Sequence, residues 1–130
     1  MAYVIACLMA ALSFLLNRRL LHSIGSVTVI SCSPVLEESA KTLLPFYLGA
    51  DILATHVLFG ILEAGYDWYT RGTAGAAAPL FSILGHSLFG VITIGCLFVS
   101  SSVWLGLSGG LLTHLLWNVT VIRLFSGGKR

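Results

Sequence analysis

Between Gly72 and Ile122 the chain contains no aspartate, glutamate, lysine or arginine. A water-soluble domain carries about a quarter of its residues as charges, so a stretch of this length without one cannot serve as its surface. It is long enough for two membrane crossings at roughly 20 residues each. The rest of the sequence agrees, with 9% of the 130 residues charged and 57% hydrophobic. Mean hydropathy is +0.96. Too little polar surface exists to cover a soluble globule, and lipid is the expected solvent.

All five acids (Glu37, Glu38, Asp51, Glu63 and Asp67) fall between positions 37 and 67, and the basic residues gather at segment ends. A net charge of +2, with no basic patch interleaved with aromatics, leaves no footprint for nucleic acid. Cys7, Cys32 and Cys96 lie scattered in apolar runs without CxxC spacing. They read as small buried hydrophobes rather than a disulfide framework or a zinc site. Residues 2–16 resemble the apolar core of a signal peptide, but the positive charges follow that core and no small-residue cleavage site comes next. A retained first helix is expected.

The hydrophobic runs predict an all-α, polytopic transmembrane helix bundle in a single domain, residues 1–130. The first segment runs from Ala2 to Leu16 and ends at Arg18-Arg19. Leu20–Leu48 follows as one irregular crossing, broken at Gly25, Ser31, Ser33 and Pro34, with Pro34 opening a helical run. Ala50–Gly65 is the third segment, followed by a polar turn with Asp67, Arg71, Gly72, Thr73 and Gly75. Pro79–Phe98 and Val103–Leu124 complete the set. About five crossings, within a range of roughly four to six, put Arg18-Arg19, Arg71 and the basic C-terminus together on the cytoplasmic side, with the N-terminus outside. Small residues (Gly60, Gly85, Gly90, Gly95, Gly106, Gly109 and Gly110) suit close helix contact in lipid, and the last three are also expected to loosen the start of the final span.

Ionisable groups at membrane depth cost several kcal/mol unless paired or hydrated, so each marks a candidate site. Four clusters stand out. In Glu37-Glu38-Ser39-Ala40-Lys41 the lysine lies three and four residues from the two acids and can pair with either. That leaves one acid uncompensated and suited to general acid or base work. The alternative is an interfacial helix start, whose acids complement the dipole. In Phe59-Gly60-Ile61-Leu62-Glu63, the acid shares a helix face with His56 and Asp67. Asp67, Trp68 and Tyr69 read as an interfacial end, with Glu63 about a turn deeper. His86 sits roughly 10 Å inside the fourth span, at 1.5 Å per residue; taken alone, it reads as a packing residue. His114 and Asn118, four apart near the middle of the last span, are either a site pair or helix glue.

Taken in order, EExxK, a glutamate in an aromatic-glycine helix, HxxxG at His86 and HxxWN at His114 resemble the PrsW family of membrane proteases. That family belongs with the CAAX-processing and bacteriocin-processing (CPBP) enzymes. The resemblance covers 34–118. It implies that Glu37 and Glu38 are the paired glutamates, one of which activates a water, and that Lys41 closes their motif. It implies that Glu63 is the acid of the second motif, where Ala64 stands in place of the usual Asn. His86, His114 and Asn118 match the remaining polar positions.

The implied activity is hydrolysis of a peptide bond in a membrane protein substrate by a glutamate-activated water, in the cell membrane of a prokaryote. Catalysis falls to Glu37, Glu38, His86, His114 and Asn118, with Lys41 and Glu63 in support. In this scheme His86 and Asn118 donate to the oxyanion. No Ser-His-Asp arrangement or HExxH motif is present, so no cofactor is expected, although zinc held by Glu and His remains an open alternative. Two other readings use the same residues: a non-catalytic scaffold or immunity-type protein with interhelical hydrogen bonds, and a proton-relaying transporter subunit. A transporter commonly shows an internal repeat, and none is evident.

Overall fold

The computed structural model describes residues 1–24, 31–71 and 77–126. They form five helices: α1 (Ala2–Ile24), α2 (Ser33–Leu48), α3 (Ile52–Arg71), α4 (Ala77–Ser100) and α5 (Val103–Ser126). No strand occurs among the described residues, whose architecture is all-α. Two helical stretches, α4 and Val103–Leu124 of α5, are long and apolar enough to cross a membrane. The most extensive pairings are α3 with α4 and α4 with α5; α2 packs on α5, and α1 closes the opposite side against α2 and α3.

Several boundaries differ from the sequence reading. The first helix does not stop at Arg18-Arg19 but continues to Ile24. Arginine is a good helix former, and no glycine or proline interrupts the run before Gly25. Leu20–Leu48 is therefore not one element. Leu20–Ile24 belongs to α1, residues 25–30 lie outside the described residues, and α2 begins at Ser33 with Pro34 in its first turn. Proline suits that position because its missing N–H has no partner there anyway. At 16 residues α2 is about 24 Å long, less than the roughly 30 Å of a bilayer's hydrocarbon core. It ends at Gly49, whose φ of 64° is left-handed, and the Ala50 N–H closes the turn on the Pro45 carbonyl at 2.8 Å.

The polar turn expected after Gly65 is helical as far as Arg71, so Asp67 sits on α3; Gly72, Thr73 and Gly75 lie outside the described residues. Asp51 caps the start of this helix, its Oδ1 accepting the Ala54 N–H at 2.8 Å; an Asp there satisfies one of the orphan amides of the first turn. Gly106, Gly109 and Gly110 do not loosen α5, which is unbroken. They are where α5 meets α4 and α2, and packing overrides their poor helix propensity. The cysteines are not buried hydrophobes: Cys7 is exposed, while Cys32 and Cys96 are half-buried.

The radial distribution of side chains reverses that of a water-soluble bundle. Leu112, Leu116, Phe98 and Val99 point outward, with the last two 85% and 86% exposed. Glu38, Lys41, Thr42, His56 and Thr93 are fully buried. Charged side chains are almost never fully buried unless paired, and here the pairing is supplied by neighbouring helices.

Close approach makes that interior possible. A Cβ on Gly110 would lie 3.1 Å from Glu38 Oε2 and against Thr93 Oγ1, whereas one on Gly95 would meet nothing within 4 Å. Gly110→Ala is accordingly expected to lower stability by about 1–3 kcal/mol, the usual range for overpacking. Gly95→Ala should leave the thermal midpoint in detergent unchanged or slightly raised, and equal effects at the two positions would contradict this packing.

Candidate functional site

Four helices deliver one polar side chain or more to a common centre beneath α1. From α2 come Glu37, Glu38 and Lys41, which share a buried face because they are three and four residues apart. Pro34 sets the entry of this helix, so the acids fall in its second turn. Lys41 Nζ lies 2.7 Å from Glu38 Oε1 and 3.8 Å from Glu37 Oε2. Of the two pairings open in the sequence, the tight one is with Glu38. The buried ammonium also stands 4.4 Å from the centre of the Phe59 ring, a cation–π contact.

His86, from α4, bridges Lys41 and Glu63. Its Nδ1 is 2.9 Å from Lys41 Nζ and its Nε2 is 2.7 Å from Glu63 Oε2. An ammonium only donates, so Nδ1 accepts from Lys41 and Nε2–H donates to Glu63. Ser82 Oγ donates to the same Glu63 oxygen. Gly60 permits this approach of α3 and α4, since a Cβ there would come within 3.0 Å of His86 Cβ.

His114, at the middle of α5, donates Nδ1–H to Glu38 Oε1 at 2.9 Å. Its ring stacks on Phe89 at 4.4 Å, and the His86 ring meets it edge-on at 5.3 Å. With Nδ1 protonated toward Glu38, the neutral ring presents Nε2 as an acceptor. Asn118, one turn further along α5, is half-buried.

The two adjacent glutamates have different surroundings. Glu38 is fully buried and committed to Lys41 and His114. Glu37 accepts from Ser33 Oγ at 2.8 Å and lines a cavity of about 770 Å³ between α1, α2 and α3. Phe59, Glu63 and Asp67 of α3 share that wall, and Ser13, Phe14 and Arg18 of α1 face them. The face predicted for His56, Glu63 and Asp67 is thus continuous but mixed, sealed at His56 and open at Asp67. Trp68 and Tyr69 are exposed, with Tyr69 at 88%.

Glu37, His86 and His114 each offer a ligand atom, all within 4.8 Å of one another. Two imidazoles and a carboxylate suit zinc. Both His86 nitrogens are nevertheless committed, and the Lys41 ammonium lies beside Glu37. A metal ion would have to displace that ammonium.

Glu63, His86, Lys41, Glu38 and His114, singled out from the sequence, thus form one continuous chain of contacts across four helices, with Glu37 beside it at Lys41. Several partners escaped the sequence reading. Ser33 is four residues before Glu37, a spacing that signals the contact once the helix start is known. Phe59 and Phe89 wall the imidazoles, and no polar pattern marks them. Spacing groups His56 with Glu63 and Asp67 on one helix face, whereas in the structure its Nδ1 stands 3.8 Å from Glu38 Oε2, on another helix. Comparison with protein-family models, with curated proteins and with solved structures finds no match to this chain.

Proposed function

We propose that this chain is a membrane-embedded, glutamate-dependent peptidase of the PrsW type, with its helices crossing the bilayer about five times. The observation that carries the reading is the division of labour between the paired glutamates: one is locked to a lysine and a histidine, and the other opens onto a cavity beside two imidazoles. A cavity of about 770 Å³ falls within the usual range for binding sites. The apolar exterior and the two long apolar helices support lipid as the surrounding medium. The N-terminus lies outside and the C-terminus in the cytoplasm, by the distribution of arginines.

In this mechanism Glu37 removes a proton from water held between its carboxylate and His114 Nε2, and the water oxygen attacks the scissile carbonyl carbon. Asn118 donates to the resulting oxyanion. The proton on Glu37 then passes to the amide nitrogen as the C–N bond breaks. Glu38 orients His114, and Lys41 holds Glu38. His86 has both nitrogens engaged and acts as a strut between Lys41 and Glu63, so oxyanion donation by His86 would require one of those bonds to open. The scheme uses no metal. A chelator is expected to leave the initial rate of cleavage unchanged, and activity lost on chelation and restored by zinc would replace this scheme with a metal-dependent one.

The same closed set of hydrogen bonds favours a second reading, a non-catalytic scaffold in which the polar side chains tie helices together. Glu37→Ala, Glu38→Ala, His86→Ala and His114→Ala, assayed for folding in detergent and for cleavage of membrane-protein substrates, separate the two. Peptidase function requires Glu37→Ala to fold and to lose the wild-type cleavage. If every variant stays folded and cleavage persists, the peptidase is excluded. If all four unfold and the wild type cleaves nothing, the scaffold is favoured.

A further inference from the structure

A second polar cluster lies behind Glu38, and none of its residues lines the cavity. His56 on α3 is fully buried, and neither of its ring nitrogens has a hydrogen-bond partner. Its Nδ1 stands 3.8 Å from Glu38 Oε2, the oxygen of that carboxylate which is also unpartnered. The hydroxyls of Thr42 and Thr93 are buried and unpartnered too.

Those two threonines lack the backbone bond that several other helical hydroxyls make. Thr55, Ser87, Thr113 and Thr120 each donate to the carbonyl four residues earlier, at 2.7–2.8 Å. Thr42 and Thr93 do not make that bond. Thr42 is one turn from Glu38 on α2. Thr93 lies three residues after Gly90, whose missing Cβ would sit 2.8 Å from His56 Cβ. The point a Gly110 Cβ would occupy lies against both Thr93 Oγ1 and Glu38 Oε2. Glu38 Oε2 of α2, His56 of α3 and Thr93 Oγ1 of α4 therefore face one region, with α5 closing it and Thr42 one turn along α2.

An unpartnered buried polar group is costly, and several in one place call for a bound partner. The chemistry of the set selects that partner. A carboxylate oxygen only accepts, a neutral imidazole both donates and accepts, and two hydroxyls do either. An anion is repelled by Glu38. A cation competes with Lys41, which already holds the other Glu38 oxygen. Water alone supplies donors and acceptors together without adding charge.

We propose that Glu38 Oε2, His56, Thr42 and Thr93 enclose a sealed hydration site whose ordered water donates to the carboxylate and to an imidazole nitrogen and accepts from a hydroxyl. His56 is then a positioning residue. It holds Glu38 through this water, and so keeps the His114 ring oriented beside Glu37. The hydration site is independent of the peptidase reading; only the positioning role rests on it.

Replacement by an isostere tests the site through the sign of its effect. If the region is dry, Thr93→Val removes an unsatisfied hydroxyl and raises the thermal midpoint; if it is hydrated, the same change takes away a partner of the water and lowers it. The expected result, for the full chain in detergent micelles, is a midpoint several degrees below wild type for Thr93→Val and near wild type for Thr93→Ser. In the ¹⁵N-histidine-labelled wild type, a water-selective cross-relaxation experiment should show solvent signal at the His56 imidazole, assigned by its loss in His56→Gln. A Thr93→Val midpoint at or above wild type, with no water signal at His56, overturns the proposal. Neither readout depends on cleavage, so loss of the peptidase reading would leave this test intact.

Discussion

Replacing Lys41 with methionine is expected to destabilise the fold by about 3–5 kcal/mol, the usual cost of removing one partner from a buried ion pair. The side chain is fully buried and its ammonium contacts Glu38 at 2.7 Å and His86 at 2.9 Å. Methionine keeps most of the volume and the contact with the Phe59 ring, so the loss comes mainly from charge. Glu38 would remain buried with His114 as the one protein donor to its Oε1, and His86 Nδ1 would lose its donor altogether. Glu38→Gln, from the opposite side, leaves the ammonium with only the longer contact to Glu37 at 3.8 Å and should also be destabilising. The double variant Lys41→Met/Glu38→Gln is expected to lose clearly less than the sum of the two singles, because each change removes the charge that the other strands. Thermal or denaturant unfolding of the four proteins in one detergent measures this coupling. Additive losses would mean that the contact contributes little and that Lys41 acts through packing.

The other large effect separates the adjacent acids by function. Glu37→Gln is expected to reduce cleavage by about 10²–10⁴-fold, the typical contribution of a positioned general base, while leaving the unfolding midpoint close to wild type. The amide is isosteric and still accepts from Ser33 Oγ, which lies 2.8 Å from the carboxylate in the native chain. It has no basicity with which to remove a proton from water. Glu38→Gln should show the opposite order of effects, with stability falling first and activity falling with it. The measurements are initial rates of substrate cleavage in detergent or liposomes, normalised to folded protein. Glu37→Gln with wild-type rates would remove Glu37 from the reaction, whatever the fate of Glu38.

Much of this architecture follows from local pattern. The uncharged stretch from Gly72 to Ile122 yields the two longest apolar helices, and Pro34 opens α2 where a proline is tolerated. The polar clusters were legible as well, because a carboxylate or imidazole in an apolar run has few explanations. The ends of helices were less so. The polar residues at 17–19 and 67–71 resemble termini by composition, yet arginine, aspartate and tyrosine continue a helix when no glycine or proline stops them. The seven glycines expected to ease packing or loosen α5 differ in the same way: Gly110 faces a threonine and a glutamate, while Gly95 faces nothing within 4 Å.

Local chemistry thus specified that Glu37, Glu38, Lys41, His86 and His114 must be reconciled with an apolar surrounding, since an unpaired charge there is costly at any position in the chain. It left their partners open. Spacing on one helix let Lys41 meet either glutamate, and let His56 group with Glu63. Contacts between residues 45 to 76 positions apart depend on helix orientation and on glycines that let the axes approach. Only the assembled bundle commits Lys41 to Glu38, gives His114 to the same carboxylate and leaves Glu37 on the cavity. An uncharged stretch is a property of composition. Which acid within the bundle lines the cavity is decided by the pairing that consumes the other.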